Sequence, residues 1–218
     1  MPLAVPQTLV PLAVPLASSY SDLAHSMLCS RSDTTDYKHN TPIGYLPALK
    51  HPEAGLFPNC TYSMGCLQES LAVERYIANL SPKFASLSVQ ARGVDDMITM
   101  IKEDLIHVEA GATNASAAPG IVTPLYDRYL TVLENGPYIP ATGFANGLAY
   151  PTGADLAVLV FLDSTFPYAK ALKNAKYDLS RFPKLTALAK RTAAFPAVAS
   201  YLKTSKTFYK DLDQGMYA

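Results

Sequence analysis

The chain has 218 residues, 49% of them hydrophobic and 17% charged, enough to bury a sizeable core in one large or two small domains. Eighteen basic and eighteen acidic side chains leave no net charge, which removes the positive field that general nucleic-acid binding needs. The charge is unevenly spread: residues 1–164 hold 8 basic and 15 acidic side chains and residues 165–218 hold 10 and 3. The C-terminal part can therefore attract anionic ligands, although a solvated helical face is the plainer reading.

The N-terminal stretch Met1–Ala17 is apolar but carries Pro2, Pro6, Pro11 and Pro15 and no basic flank. It is expected to be neither a signal peptide nor a membrane span, and any strand in Thr8–Leu16 belongs at a sheet edge, where a missing N–H is tolerated. Ser19-Tyr20-Ser21-Asp22 has the form of a capping box ahead of Leu23, Met27 and Leu28, predicting a short helix from about Tyr20 to Arg31. A polar loop leads to Ile43–Leu49, a short strand interrupted by Pro47, and the Pro-, Gly- and Asn-rich segment His51–Gly65 predicts a long hairpin loop. The chain then returns through Cys66-Leu67 to a helix beginning near Ser70, which ends at Ser81-Pro82.

Residues 81–89 read as a linker between a domain over 1–80 and a helical domain over 90–218. In the second domain Val94, Met97, Ile98, Ile101, Leu105 and Val108 recur at helical spacing over Gln90–Ala110. Pro124–Glu134 makes another helix, and Gly136–Pro151 a loop. Thr152-Gly153-Ala154-Asp155 forms a second capping-box-like sequence, with Asp155 in place of the usual Glu or Gln, ahead of the apolar run Leu156–Leu162. Phe182–Thr192 and Pro196–Thr204 read as the last two helices.

Cys29, Cys60 and Cys66 are an odd number beside a large core, so no disulfide framework is required and a reducing, cytoplasmic setting fits. Asn59-Cys60-Thr61 and Asn114-Ala115-Ser116 match a glycosylation acceptor and read as chance matches. His25, His39, His51 and His107 show no metal-ligand spacing with the cysteines, so no metal is expected.

Gly44-Tyr-Leu-Pro47-Ala-Leu, Leu67-Gln-Glu-Ser70-Leu-Ala-Val-Glu-Arg-Tyr-Ile77, Thr152-Gly-Ala-Asp155-Leu-Ala and Phe182-Pro-Lys-Leu with Phe195-Pro-Ala-Val-Ala-Ser-Tyr-Leu202 stand in this order. Over about residues 42–204 the chain resembles the cytosolic glutathione transferase family, nearest the sigma class in its second half. The resemblance implies an α+β, thioredoxin-like N-terminal domain followed by an all-helical C-terminal domain. The chain is shorter than the family pattern between the first helix and Gly44, so that sheet is expected to lack one strand.

The resemblance also implies a site for glutathione as cosubstrate. Pro47 matches a cis-proline that exposes the backbone of Leu46, which pairs with the cysteinyl moiety as an added strand. Ser70 would hold the γ-glutamyl carboxylate at a helix N-terminus, with Glu69 on the ammonium group and Lys38 on the glycyl carboxylate. The family's dimer would add an acidic residue from the partner subunit, for which Asp95, Asp96, Glu103 and Asp104 are candidates.

The thiol requires a hydroxyl donor, and Val14 stands where the tyrosine of the first strand is expected. Ser18-Ser19-Tyr20-Ser21 resembles the Ser-Ser-Cys-Ser sequence of zeta-class members, so Tyr20 and Ser18 rank equally as thiol activators and Ser19 behind them. Met97, Met100, Ile101 and Tyr209 are candidates to line an apolar electrophile pocket between the domains, although a core stripe explains the methionines equally well. Conjugation to an apolar electrophile is the leading reading. A glutathione-dependent isomerase or ring-opening enzyme is the enzymatic alternative, and a non-catalytic ligand carrier or structural derivative the other.

Overall fold

The computed structural model describes residues 48–49, 67–163 and 165–204, and the chain divides into two units, Met1–Ser86 and Leu87–Ala218. In the first unit, β1 (Ala48–Leu49) pairs antiparallel with β2 (Leu67–Gln68), with Ala48 opposite Gln68 and Leu49 opposite Leu67. Helices α1 (Ser70–Leu80) and α2 (Pro82–Ala85) follow, and Val73, Ile77 and Phe84 are buried.

This corrects the expected thioredoxin-like domain: among the described residues the only sheet is this pair of two-residue strands, and nearly all the rest is helix and turn. Physical limits on the ladder stand at both ends. Pro47, just ahead of β1, has no N–H to donate. Glu69, just after β2, turns the chain directly into α1. The motif order that suggests a sheet consists mainly of helix starts. The expected first strand and first helix, and the omitted strand, lie outside the described residues.

The second unit is built on α3 (Val89–Leu105), α4 (Glu109–Thr113), α5 (Ala118–Asn135), α6 (Gly153–Asp163), α7 (Lys170–Ala175), α8 (Pro183–Ala194) and α9 (Pro196–Thr204). Helix α6 is its axis. Every residue from Ala154 to Leu162 is buried, as a helix apolar all round must be, and it packs against α3 and α8. Ile98 and Leu105 from α3, Val122, Leu130 and Leu133 from α5, and Leu185 and Leu188 from α8 complete the core. Each such side chain contributes roughly 1.5–3 kcal/mol by leaving water.

Three boundaries differ from the sequence expectation. The stripe predicted over 90–110 breaks at Leu105 into a 3-10 turn (Ile106–Val108) before α4. Helix α5 starts six residues before Pro124, which sits inside it on an exposed face. After α6 a π-helical turn, Thr165–Ala169, leads into α7, which the pattern does not predict. The Phe161 carbonyl near this irregularity accepts a 2.6 Å hydrogen bond from the buried Tyr126 hydroxyl.

Candidate functional site

The segment with the clearest functional geometry is the turn from β2 into α1. Glu69 adopts φ 73°, ψ 125°, a left-handed conformation that costs a side-chain-bearing residue on the order of 1–3 kcal/mol. Its side chain is exposed, its carbonyl accepts the Val73 amide at 3.0 Å, and Ser70 follows, half-buried, as the first helical residue.

Among the described residues no side chain caps α1, and its first turn holds no acidic residue. Helices α4, α5 and α7 of the second unit likewise have no side-chain hydrogen bond from the N-cap residue, whereas three other helices of that unit are capped. There α3 starts on Ser88, whose hydroxyl accepts the Ala91 amide at 3.1 Å. Helix α6 starts on Asp95, which accepts the Ala154 amide at 3.0 Å. Helix α8 starts on Glu134, whose two carboxylate oxygens accept the Lys184 and Leu185 amides at 2.9 and 3.1 Å. An 11-residue helix without a side-chain cap presents first-turn N–H groups and the positive end of its dipole, a pairing suited to a carboxylate.

Glu69 and Ser70 are thus neighbours at one helix start. Met97, Met100 and Ile101 lie on one face of α3 at spacings of three and four; Met97 is half-buried, Met100 is 39% exposed and Ile101 8%. Tyr20, Ser18, Ser19, Lys38, Leu46, Pro47 and Tyr209 lie outside the described residues.

The acidic candidates for a partner's site are already engaged within the chain. Asp95 is 3% exposed and spent on α6; Asp104 Oδ2 accepts the Tyr129 hydroxyl at 2.9 Å; Glu103 pairs with Lys102 Nζ at 2.8 Å. Asp96 also has a partner.

No family model and no curated protein matches the chain. Among the described residues no group of three or more His, Cys, Asp or Glu side chains is placed to hold a metal ion, and no helix is long and apolar enough to cross a membrane.

What sequence reasoning misses is the long-range part of the second unit's polar framework, built around the Thr152–Asp155 capping box that it does read. Asp155 is fully buried and accepts three hydrogen bonds: Thr152 N at 2.8 Å and Thr152 Oγ1 at 3.2 Å on Oδ2, and Ala145 N at 2.8 Å on Oδ1. Burial pushes its carboxyl up to about 6, against the pull of these donors. Burial also raises Asp95, opposed by the Thr152 hydroxyl and the Ala154 amide. Arg191 on α8 donates to the carbonyls of Gly143 and Pro140 at 3.0 and 3.2 Å, fixing the loop that brings Ala145 to Asp155. Thr152-x-x-Asp155 is readable locally; Asp95, Glu134 and Arg191 act across 48 to 59 residues, where no local pattern exists.

Proposed function

We propose that this protein binds glutathione and transfers its thiolate to an apolar electrophilic small molecule. The observation that supports this best is the start of α1, where left-handed Glu69 precedes Ser70 on a helix that no described side chain caps. On this reading the first-turn amides and Ser70 take the γ-glutamyl carboxylate and exposed Glu69 takes the ammonium group. The backbone of Leu46 beside Pro47 pairs with the cysteinyl unit, and Lys38 takes the glycyl carboxylate. Tyr20 or Ser18, with Ser19 behind them, donates the hydrogen bond that stabilises the thiolate, and Met97, Met100, Ile101 and Tyr209 contact the electrophile. The chemistry needs no metal. The cytoplasm suits both the three cysteines and a thiol cosubstrate, and the working form is a homodimer.

Calorimetric titration with glutathione, read together with the ultraviolet thiolate band across pH, tests the proposal. Saturable binding is expected, with the bound thiol ionising at lower pH than free glutathione. Ser70→Ala and Glu69→Ala are each expected to weaken binding about tenfold, the loss of roughly one charge-assisted hydrogen bond. Tyr20→Phe or Ser18→Ala should remove the thiolate band while leaving binding. Binding with no shift of the thiol would identify a carrier, the reading that Val14 favours. Absence of binding would overturn the proposal.

A further inference from the structure

Two of the eleven glycines follow an asparagine, Gly136 after Asn135 and Gly147 after Asn146. An asparagine Cγ lies one ring closure away from the next residue's amide nitrogen, and where that residue has no β-carbon nothing of its own shields the nitrogen. The two pairs stand in opposite surroundings.

Asn135 is the last residue of α5. Its Nδ2 donates to the Thr131 carbonyl at 2.9 Å, and the Gly136 amide donates to the Val132 carbonyl at 2.9 Å, so both groups are tied to the end of the helix. A Cβ built on Gly136 would stand 2.7 Å from the Val132 oxygen and 2.9 Å from the Tyr138 ring, which leaves the peptide no room to turn.

Asn146 is exposed in the 3-10 turn Ala145–Gly147, at φ 59°, ψ 17°, and Gly147 follows at φ 71°. Two successive left-handed residues reverse the chain, and Phe144 and Leu148 close the reversal as an antiparallel bridge. The Gly147 amide donates to the Phe144 carbonyl at 3.0 Å, a bond that closes within the same turn. Outside the chain neighbours, nothing described lies within 4 Å of a Cβ built on Gly147, so this peptide has room to rotate.

We propose that Asn146 is a site of spontaneous deamidation, and that its conversion frees the 144–148 turn from α3. The Gly147 amide nitrogen gives its proton to a solvent base and attacks Asn146 Cγ. The Cγ–Nδ2 bond breaks, Nδ2 leaves as ammonia, and a succinimide ring remains. Water then opens the ring at Cγ, giving aspartate, or at the Asn146 backbone carbonyl, giving isoaspartate with the chain running through the side chain. Water is the only co-reactant, and nothing is oxidised or reduced.

The lost group is the one that ties the turn down. Asn146 Nδ2 donates to the Ala91 carbonyl in the first turn of α3 at 3.0 Å, a link across 55 residues. Either product lacks that donor and sets a carboxylate beside the carbonyl oxygen. Isoaspartate also adds a methylene to the backbone between Phe144 and Leu148, next to the Ala145 amide that Asp155 Oδ1 holds at 2.8 Å.

Incubation of the full chain at mildly alkaline pH, read by peptide mass spectrometry that separates asparagine, aspartate and isoaspartate, tests the proposal. Asn146 is expected to convert about tenfold faster than Asn135, because its turn opens without unwinding a helix. Isoaspartate should be among the products, since the ring opens at both carbonyls. Asn146→Asp, which carries the product's charge on an unaltered backbone, should raise amide exchange at Ala145 about tenfold over wild type. Conversion at Asn146 no faster than at Asn135, or aspartate formed without isoaspartate, would overturn the site in the wild-type protein itself. Unchanged Ala145 exchange in both Asn146→Asp and the aged wild-type protein would overturn the release of the turn.

Discussion

A carboxylate with no solvent around it needs donors in fixed places, and Asp155 has three, two of them backbone amides. Asp155→Ala leaves the Ala145 and Thr152 amides without their acceptor in a buried site. The expected cost is about 2–4 kcal/mol, read as a lowered urea midpoint at unchanged slope. The pH dependence has a definite sign. The folded-state pKa of about 6 lies above that of an unfolded aspartate, so the protonated form is the one the fold favours. The stabilisation is complete below about pH 4 and lost as pH rises through 6. Relative to Asp155→Asn, the wild-type protein should lose roughly 3 kcal/mol between pH 4 and pH 6.5 in matched urea titrations. At the same scale Glu69 was only half legible. The helix start at Ser70 can be read from the chain, but the left-handed backbone falls on a glutamate, where neither Gly nor Asn signals it.

Among the elements, α8 shows how a helix end is satisfied from outside. Pro183 has no N–H to satisfy, and Glu134 of α5 takes the next two amides. Glu134→Ala should cost about 1–3 kcal/mol, whereas Glu134→Gln, which keeps one carbonyl acceptor, should cost less. Hydrogen exchange at Lys184 and Leu185 would locate the loss. The helices of the second unit were legible where a stripe of apolar residues recurs, as over Val94–Leu105, and where a capping sequence precedes an apolar run, as at Thr152–Asp155. Pro124 hid the first turns of α5, because a proline usually marks a helix start rather than its second turn. Helix α7 is short and rich in lysine, with no run long enough to show a period. The expected sheet had a weaker physical signature: it rested on the short run Ile43–Leu49, the hairpin loop after it and otherwise on the resemblance, and the described strands are two residues each.

Across the whole molecule, charge is balanced in total and separated along the chain. Residues 87–163 carry three basic and nine acidic side chains, and residues 165–204 eight and one. The two sets meet where Arg181 pairs with Asp127 at 3.0 Å while the Tyr177 hydroxyl donates to the same oxygen at 2.6 Å. With no net charge at pH 7, the protein lacks the self-repulsion that keeps molecules apart in solution. Its solubility in low salt should pass through a minimum near neutrality and rise on either side, which precipitation curves across pH would show.

The caps of the second unit carry a consequence for synthesis on the ribosome. Asp95 waits for Ala154, Glu134 for Leu185, and the Gly143 carbonyl for Arg191, so each bond closes only after 48 to 59 more residues have been made. Until then the nascent chain holds ionised groups with no internal partner beside strongly apolar helices. The second unit therefore cannot settle in stages as it emerges, and must close late, once α8 has left the exit tunnel.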